Sequence, residues 1–175
     1  GLPGRMDFVQ PTWVFNRDPE AAMEATSWRL SLRTCLLRRD VLVRMGGPAA
    51  GFESLDAAGL ELGHRYLTRG VLVRHCPALM QGGAPESRVR LPWRDEWLFL
   101  LSRFGLFWTL WAAGRSLMNG EMGIGALRAL AAALRSFSPR PDPAPYRFPA
   151  GGPAGAAPVT AVVPTVDRYP YLRQV

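Results

Sequence analysis

The chain has 175 residues, of which 48% are hydrophobic and 20% are charged. These proportions are typical of a globular protein and exclude an intrinsically disordered one. The formal net charge is +7, and all 21 basic residues are arginines. Arg38 and Arg39 are the only adjacent pair, and no alternation of basic and aromatic residues resembles a stacking platform for bases. We therefore expect no nucleic-acid partner, whereas an anionic small molecule or an anionic membrane face suits this charge.

The first part of the chain predicts one extended stretch and one helix. Phe8–Phe15 is predicted to be extended. A helix is predicted to follow it, because Asp18 suits the N-cap and Pro19 suits the first helical position.

Residues 31–80 predict a strand, a short helix, a turn, a longer helix and a second strand. Thr34–Leu37 is predicted to be the first strand and Val71–Val73 to open the second. In the longer helix apolar residues recur at helical spacing, and Gly70 suits the left-handed position just after its end.

The histidines and cysteines do not predict a metal site. Cys35 and Cys76 fall on predicted strands and are expected to be buried free thiols, as in a reducing compartment. His75 precedes Cys76 on a strand, so the two side chains point to opposite faces and cannot share a metal. His64 is expected on the exposed face of the longer helix rather than as a ligand.

Two further helices are predicted over residues 93–117 and Gly125–Phe137. The apolar stretch Trp97–Gly114 has about eighteen residues, the lower limit for crossing a bilayer. Arg103 lies near its centre, where a charge costs roughly 2.5 kcal/mol or more. We therefore predict that this helix packs in a core. The alternative interpretation, a helix that lies at a membrane surface, remains open.

The last part of the chain changes composition. Residues 138–157 are rich in Pro, Gly and Ala and predict a semi-rigid linker. Behind it, Val159–Val163 is a short β-branched run that ends at Pro164 and Thr165, which is typical of a buried parallel strand. We expect this strand to begin a domain that continues in a longer protein.

Residues 31–80 resemble the second half of a family 2 glycosyltransferase domain of the GT-A type. The apolar strand at Thr34–Leu37 and the glycine pair that begins at Gly46 match that family. Gly51–Glu53 then resembles the family's Gly-Phe-Asp-Glu turn, after an insertion of three residues. Leu60–Arg65 resembles its acidic-Leu-Gly-x-Arg helix and is the most specific match.

The strand and loop near the end of the chain resemble the opening of such a domain. The resemblance implies that the loop lies under the nucleotide of a nucleotide-sugar donor, where open α/β sheets bind ligands. The residues implied to bind the donor are Pro164, Thr165, Asp167 and Arg168.

The resemblance implies an α/β fold class and a tandem arrangement. Residues 1–137 would hold the acceptor-side, C-terminal half of a GT-A domain with its trailing helices, residues 138–157 a linker, and residues 158–175 the first strand of a second GT-A domain. The implied reaction in the full-length protein is inverting transfer of a sugar to a hydroxyl of a glycan or lipid-linked acceptor, and the fragment alone is expected to be inactive. The implied cofactor is Mg²⁺ or Mn²⁺, with its Asp-x-Asp ligands upstream of Gly1. The implied location is the cytoplasm, at the inner face of the membrane if a peripheral contact exists.

The resemblance places the acceptor side at Phe52, Glu53 and Arg65. The family's general base belongs to an acidic pair that aligns with Ala58 and Gly59, and neither of these residues can take a proton. The candidates that remain for the base are Asp56 and Glu61.

Structural roles for both candidates stay open. Asp56 suits a charge at a helix N-terminus, and Glu61 suits a partner for Arg65. Two other classes of function also stay open: a degenerate, non-catalytic module that binds glycan or a partner domain, and a membrane-interface protein.

Overall fold

A computed structural model of the chain describes residues 24–80 and 90–147. Over these residues it shows four helices and one pair of short strands. The predicted N-terminal helix and the strand Val159–Val163 lie outside the described residues. The elements, in chain order, are β1 (Ala25–Thr26), α1 (Arg39–Met45), α2 (Leu55–Thr68), β2 (Arg74–His75), α3 (Trp93–Met118) and α4 (Ile124–Ser136), with a 3₁₀ turn at Pro77–Met80 after β2.

Helix α2 has a clear signal at each end. At its N-terminus the Ser54 hydroxyl accepts a hydrogen bond from the Ala57 N–H at 3.2 Å. At its C-terminus Gly70 has a φ of 88°, and the Val71 N–H then donates to the Tyr66 carbonyl at 2.9 Å. The predicted left-handed position of Gly70 is therefore confirmed.

The strands differ from their prediction. β1 pairs with β2 in antiparallel register, Ala25 with His75 and Thr26 with Arg74. The predicted strand at Thr34–Leu37 is wrong, because residues 32–34 form a turn and a bend and residues 35–38 have no regular structure. No neighbouring strand in the described part of the chain offers this segment backbone partners, and a strand needs them.

The first half of α3 lies in the main core. Trp97, Phe99 and Leu100 are fully buried there together with Trp28 and α4. The Trp97 Nε1–H donates to the Ala126 carbonyl at 3.2 Å, which fixes α3 against α4. The prediction that this segment packs in a core is confirmed for its first half.

Helix α3 is interrupted at Gly105, whose φ of 80° lies outside the helical region. The kink separates the buried first half from a second half with many exposed apolar residues. No helix among the described residues combines the length and the apolar character that crossing a membrane requires.

The beginning of the predicted linker folds back onto the helices. Tyr146 is buried in a second core with residues of α1 and α2. Its hydroxyl donates to Asp40 Oδ2 at 2.7 Å, and its N–H donates to the Arg69 carbonyl at 2.7 Å. Residues 138–147 therefore form one wall of the molecule, although they contain no helix or strand.

The described residues are mainly helical with one small antiparallel strand pair. The GT-A fold class stays a prediction, because its parallel sheet would have to come largely from residues outside the described ranges. Cys35 and Cys76 are half-buried free thiols that lie outside the regular strands.

Candidate functional site

A cleft of about 710 Å³ lies between α1, α3 and the segment that follows α4. One wall is the end of α1 and the turn after it, over Val43–Gly46 and Ala49–Phe52. The opposite wall comes from α3 and from residues 136–143. Two side chains of α2, Glu61 and Arg65, also line the cleft.

Glu61 and Arg65 form a buried ion pair at i and i+4 on α2. Arg65 Nε donates to Glu61 Oε1 at 3.0 Å, and its Nη2 donates to Oε2 at 3.3 Å. The same guanidinium also donates to the Met45 carbonyl at 2.5 Å and to the Gly47 carbonyl at 2.7 Å. Arg65 thereby fastens α2 to the turn that forms one wall of the cleft.

Arg103 connects α2 to the opposite wall. Its Nη1 lies 3.5 Å from Glu61 Oε1 and donates to Asp142 Oδ1 at 2.8 Å. Arg69 donates to the other oxygen of Asp142 at 2.7 Å. Partial burial acts to raise the pKa of Asp142, but hydrogen bonds and charge from Arg103 and Arg69 outweigh it and lower that pKa to about 2. Asp142 is therefore a carboxylate that ties the Pro-rich segment to two helices.

His64 lies behind this network and is buried, so its predicted exposure is wrong. Its ring makes edge contacts with Trp28, Phe99 and Phe104, with centroids 5.8, 5.7 and 5.3 Å away. Arg103 Nε–H donates to its Nδ1 at 3.2 Å. Burial first, and the positive charge of Arg103 second, lower the pKa of His64 to about 4 against the opposing effect of Asp142. The imidazole is therefore neutral at physiological pH and acts as an acceptor.

The low pKa of His64 predicts a loss of stability in mild acid. The unfolded chain binds a proton at His64 below its ordinary pKa of 6.5, whereas the folded chain resists protonation until about pH 4. The contribution of His64 to the free energy of unfolding is therefore fully present above pH 6.5. It falls by about 3 kcal/mol as the pH approaches 4.

Urea denaturation between pH 7 and pH 4 measures this loss. His64→Gln keeps an acceptor for Arg103 but does not titrate, so we expect its stability to change much less over that range. His75→Gln is the matched control and should keep the wild-type dependence. If the stability of wild type and of His64→Gln depended equally on pH, protonation of His64 would not be the cause of the loss in mild acid. Asp142 loses its contribution only below its ordinary pKa of 3.8, outside this window.

The structure brings together three of the five residues predicted on the acceptor side or as base. Phe52, Glu61 and Arg65 line the cleft. Glu53 does not line it and is a largely exposed carboxylate 3.4 Å from Arg94. Asp56 also lies outside the lining, where it accepts from Arg33 at 3.0 and 2.9 Å. The four residues predicted to bind the donor, Pro164, Thr165, Asp167 and Arg168, lie outside the described residues.

Both candidate bases form ion pairs with arginine side chains. Both oxygens of Glu61 accept from Arg65, and its side chain is 4% exposed. Its predicted structural role, as partner of Arg65, is confirmed. Asp56 lies in the first turn of α2, as expected for a helix N-terminal charge.

At Gly59, one of the two residues that the resemblance aligns with the family's acidic pair, the backbone of residues 30–32 lies close to α2. A Cβ built on Gly59 would lie 2.4 Å from the Leu30 carbonyl oxygen. An aspartate at this position therefore has no room unless residues 30–32 move. The resemblance marks Gly59 as the loss of an acidic residue. In this structure, the close contact between α2 and residues 30–32 requires a glycine there.

Sequence reasoning missed Arg103, Asp142 and His64 as parts of one network. Arg103 was interpreted only as an obstacle to crossing a membrane. A charge inside an apolar helix requires a buried partner, and this was the available signal. Asp142 is the only acidic residue in the predicted linker, residues 138–157, which marks it as that partner once the chain folds back.

In the described part of the chain no three His, Cys, Asp or Glu side chains cluster as a metal ion would require. The Mg²⁺ or Mn²⁺ implied by the resemblance was assigned to ligands upstream, so it stays a prediction. No protein-family model, no curated protein and no solved structure matches this chain.

Proposed function

We propose that this chain supplies the acceptor side of a family 2 glycosyltransferase, which transfers a sugar from a nucleotide-sugar to a hydroxyl acceptor. One observation carries the proposal. The two segments that resemble the family, the turn at Gly46–Phe52 and the helix of Glu61 and Arg65, line the same cleft. They are joined there by the hydrogen bonds of Arg65 to Met45 and Gly47.

The cleft has the chemistry to hold a glycan. The lining includes the aromatic residue Phe52 and the hydroxyl residues Ser102 and Ser138. Arg44 and Arg140 add two exposed guanidinium groups at the same cleft. A concave site with an aromatic wall and a few convergent polar groups suits an acceptor that has both C–H faces and hydroxyl groups.

In this proposal Glu61 is a positioning residue. Its carboxylate contacts two guanidinium groups: that of Arg65, which is hydrogen-bonded to the wall after α1, and that of Arg103, which belongs to the opposite wall. Without its negative charge, two buried arginines would repel each other across the floor of the site. The general base is then supplied from outside the described residues.

The second candidate function is a degenerate module that binds glycan without catalysing transfer. Gly59 favours it, because its contact with Leu30 leaves no room for the carboxylate of a base. The two candidates share the cleft and differ in turnover, so both binding and turnover have to be measured.

Turnover is measured as release of nucleoside diphosphate from UDP-, GDP- and dTDP-sugars by the protein that carries the complete domain, with oligosaccharide acceptors. We expect Phe52→Leu and Arg140→Gln to raise the acceptor KM about tenfold, with a smaller change in kcat. Leu72→Ala, an exposed substitution outside the cleft, is the control and should leave both constants unchanged.

Glu61→Gln separates positioning from base catalysis. A positioning role predicts a higher KM and an unchanged pH profile, whereas a base predicts a loss in kcat of about a hundredfold or more together with a lost pH limb. Oligosaccharide binding that requires Phe52 and Arg140 without turnover of any donor would favour the degenerate module. Absence of both binding and turnover would overturn the proposal.

A further inference from the structure

The second half of α3, from Leu106 to Met118, has an inverted pattern of burial. Its buried face consists of small residues: Thr109, Ala112, Ala113 and Ser116. Its exposed face carries the bulky ones, among them Phe107 at 72% and Met118 at 88% exposure. A helix that only completes a globular core would bury the large apolar residues instead.

Exposed apolar residues also lie on α4. Ile124, Leu127 and Leu134 are 71%, 44% and 38% exposed, and their spacing places them on one face of the helix. The remaining exposed apolar residues of α3 are Leu106, Trp108, Leu110, Trp111 and Leu117. We call these exposed residues of α3 and α4 the hairpin surface, and an apolar surface of this extent marks an interaction site.

The charges around the hairpin surface are mostly positive. Between residues 106 and 136 the charged side chains are Arg115, Arg128, Arg135 and one acidic residue, Glu121, and all four are exposed. The Arg115 guanidinium lies 5.4 Å from the Trp111 ring centroid, and the Trp108 and Trp111 rings contact each other at 5.9 Å. Tryptophan beside arginine is the combination that suits the headgroup level of a bilayer.

We propose that the hairpin surface lies on an anionic lipid bilayer, with its Trp, Phe and Leu side chains in the interface and its arginines at the lipid phosphates. The charge favours this occupant over a second copy of the chain, because a symmetric contact would bring together six arginines and only two glutamates. The contact is peripheral, since no described helix qualifies as a membrane span. This inference does not depend on the proposed transfer activity.

Flotation of the 175-residue chain with phospholipid vesicles tests the proposal. We expect binding to phosphatidylcholine vesicles that contain about 30% phosphatidylglycerol, and weaker binding to pure phosphatidylcholine or at high salt. Phe107→Glu and Leu110→Glu should each lower the partition coefficient about tenfold. Arg128→Gln and Arg135→Gln should each lower it about fivefold on the anionic vesicles only.

Leu36→Glu and Leu72→Glu are the matched controls, since both residues are exposed leucines outside the hairpin surface. They should float as the wild type does, and circular dichroism checks that each variant keeps its helices. If a glutamate variant does not fold, Arg128→Gln and Arg135→Gln still test whether the hairpin surface binds anionic vesicles, because they change only exposed side chains. The proposal would be overturned if the wild type failed to float or if the variants of the hairpin surface floated as the wild type does. It would also be overturned if the chain self-associated and Phe107→Glu abolished that self-association.

Discussion

Replacing Gly63 by alanine is expected to lower the free energy of unfolding by about 3 kcal/mol or more. A Cβ built on this glycine would lie 2.1 Å from the Trp28 carbonyl oxygen and 2.8 Å from the Leu30 Cβ. Both distances are far below van der Waals contact, and the first involves backbone that a rotamer change cannot move. The segment at residues 28–30 would therefore have to separate from α2.

Gly114→Ala is the matched control for this substitution. Gly114 also lies inside a helix, but a Cβ built there has no neighbour within 4 Å. Alanine has the higher helix propensity, so this variant should be more stable than wild type by about 0.5–1 kcal/mol. Urea denaturation followed by circular dichroism measures both. A Gly63→Ala variant as stable as wild type would show that residues 28–30 do not lie this close to α2.

The close contact gives a physical reason for two glycines of α2. Gly59 and Gly63 are one helical turn apart, and both meet the backbone of residues 28–32. The helix and this segment can approach so closely only where no side chain separates them. The glycine of the acidic-Leu-Gly-x-Arg match thus has a role in close contact that does not depend on any catalytic activity.

The helices were predictable because their signals are local. Apolar residues at helical spacing and the terminal glycine Gly70 predicted α2, and long apolar runs without internal proline predicted α3 and α4. The absence of the predicted strand at Thr34–Leu37 could not be foreseen, because a strand depends on a partner that the local sequence does not reveal. Its residues follow a turn instead, and Leu36 is exposed.

Only those residues of the candidate site that lie within the family-like segments could be predicted from the sequence. Phe52, Glu61 and Arg65 were found because they belong to segments that resemble a known family. Arg103 and Asp142 are 39 residues apart, and their ion pair depends on how the chain folds back after α4. No spacing rule connects two residues at that separation, so only the structure shows that they complete the network of Glu61.

Asp95→Ala is expected to cost about 3 kcal/mol of unfolding free energy or more. The Asp95 carboxylate is fully buried in the first turn of α3. One of its oxygens accepts from the Glu53 N–H at 2.9 Å, and the other accepts from the Ser54 N–H and hydroxyl, both at 2.8 Å. Alanine leaves these three donors without an acceptor.

The same carboxylate serves two helix N-termini. Asp95 stabilises the first turn of its own helix and holds Ser54, the N-cap of α2, in place. The loss of Asp95 should therefore loosen the turn that carries Phe52, and with it one wall of the cleft. We expect the Asp95→Ala variant to show weaker near-ultraviolet circular dichroism from its aromatic side chains as well as a lower denaturation midpoint.

Two further variants test whether the buried hydrogen bonds of Asp95, and not its negative charge near Arg94, carry this effect. Asp95→Asn keeps an acceptor for Glu53 but turns an amide N–H towards Ser54, so it should cost roughly 2 kcal/mol. Glu53→Ala removes a largely exposed carboxylate 3.4 Å from Arg94, and exposed pairs of this kind contribute less than about 1 kcal/mol. If Glu53→Ala destabilised the chain as much as Asp95→Ala, the two carboxylates would act through Arg94, and the assignment of Asp95 as the acceptor that holds Ser54, the N-cap of α2, would be wrong.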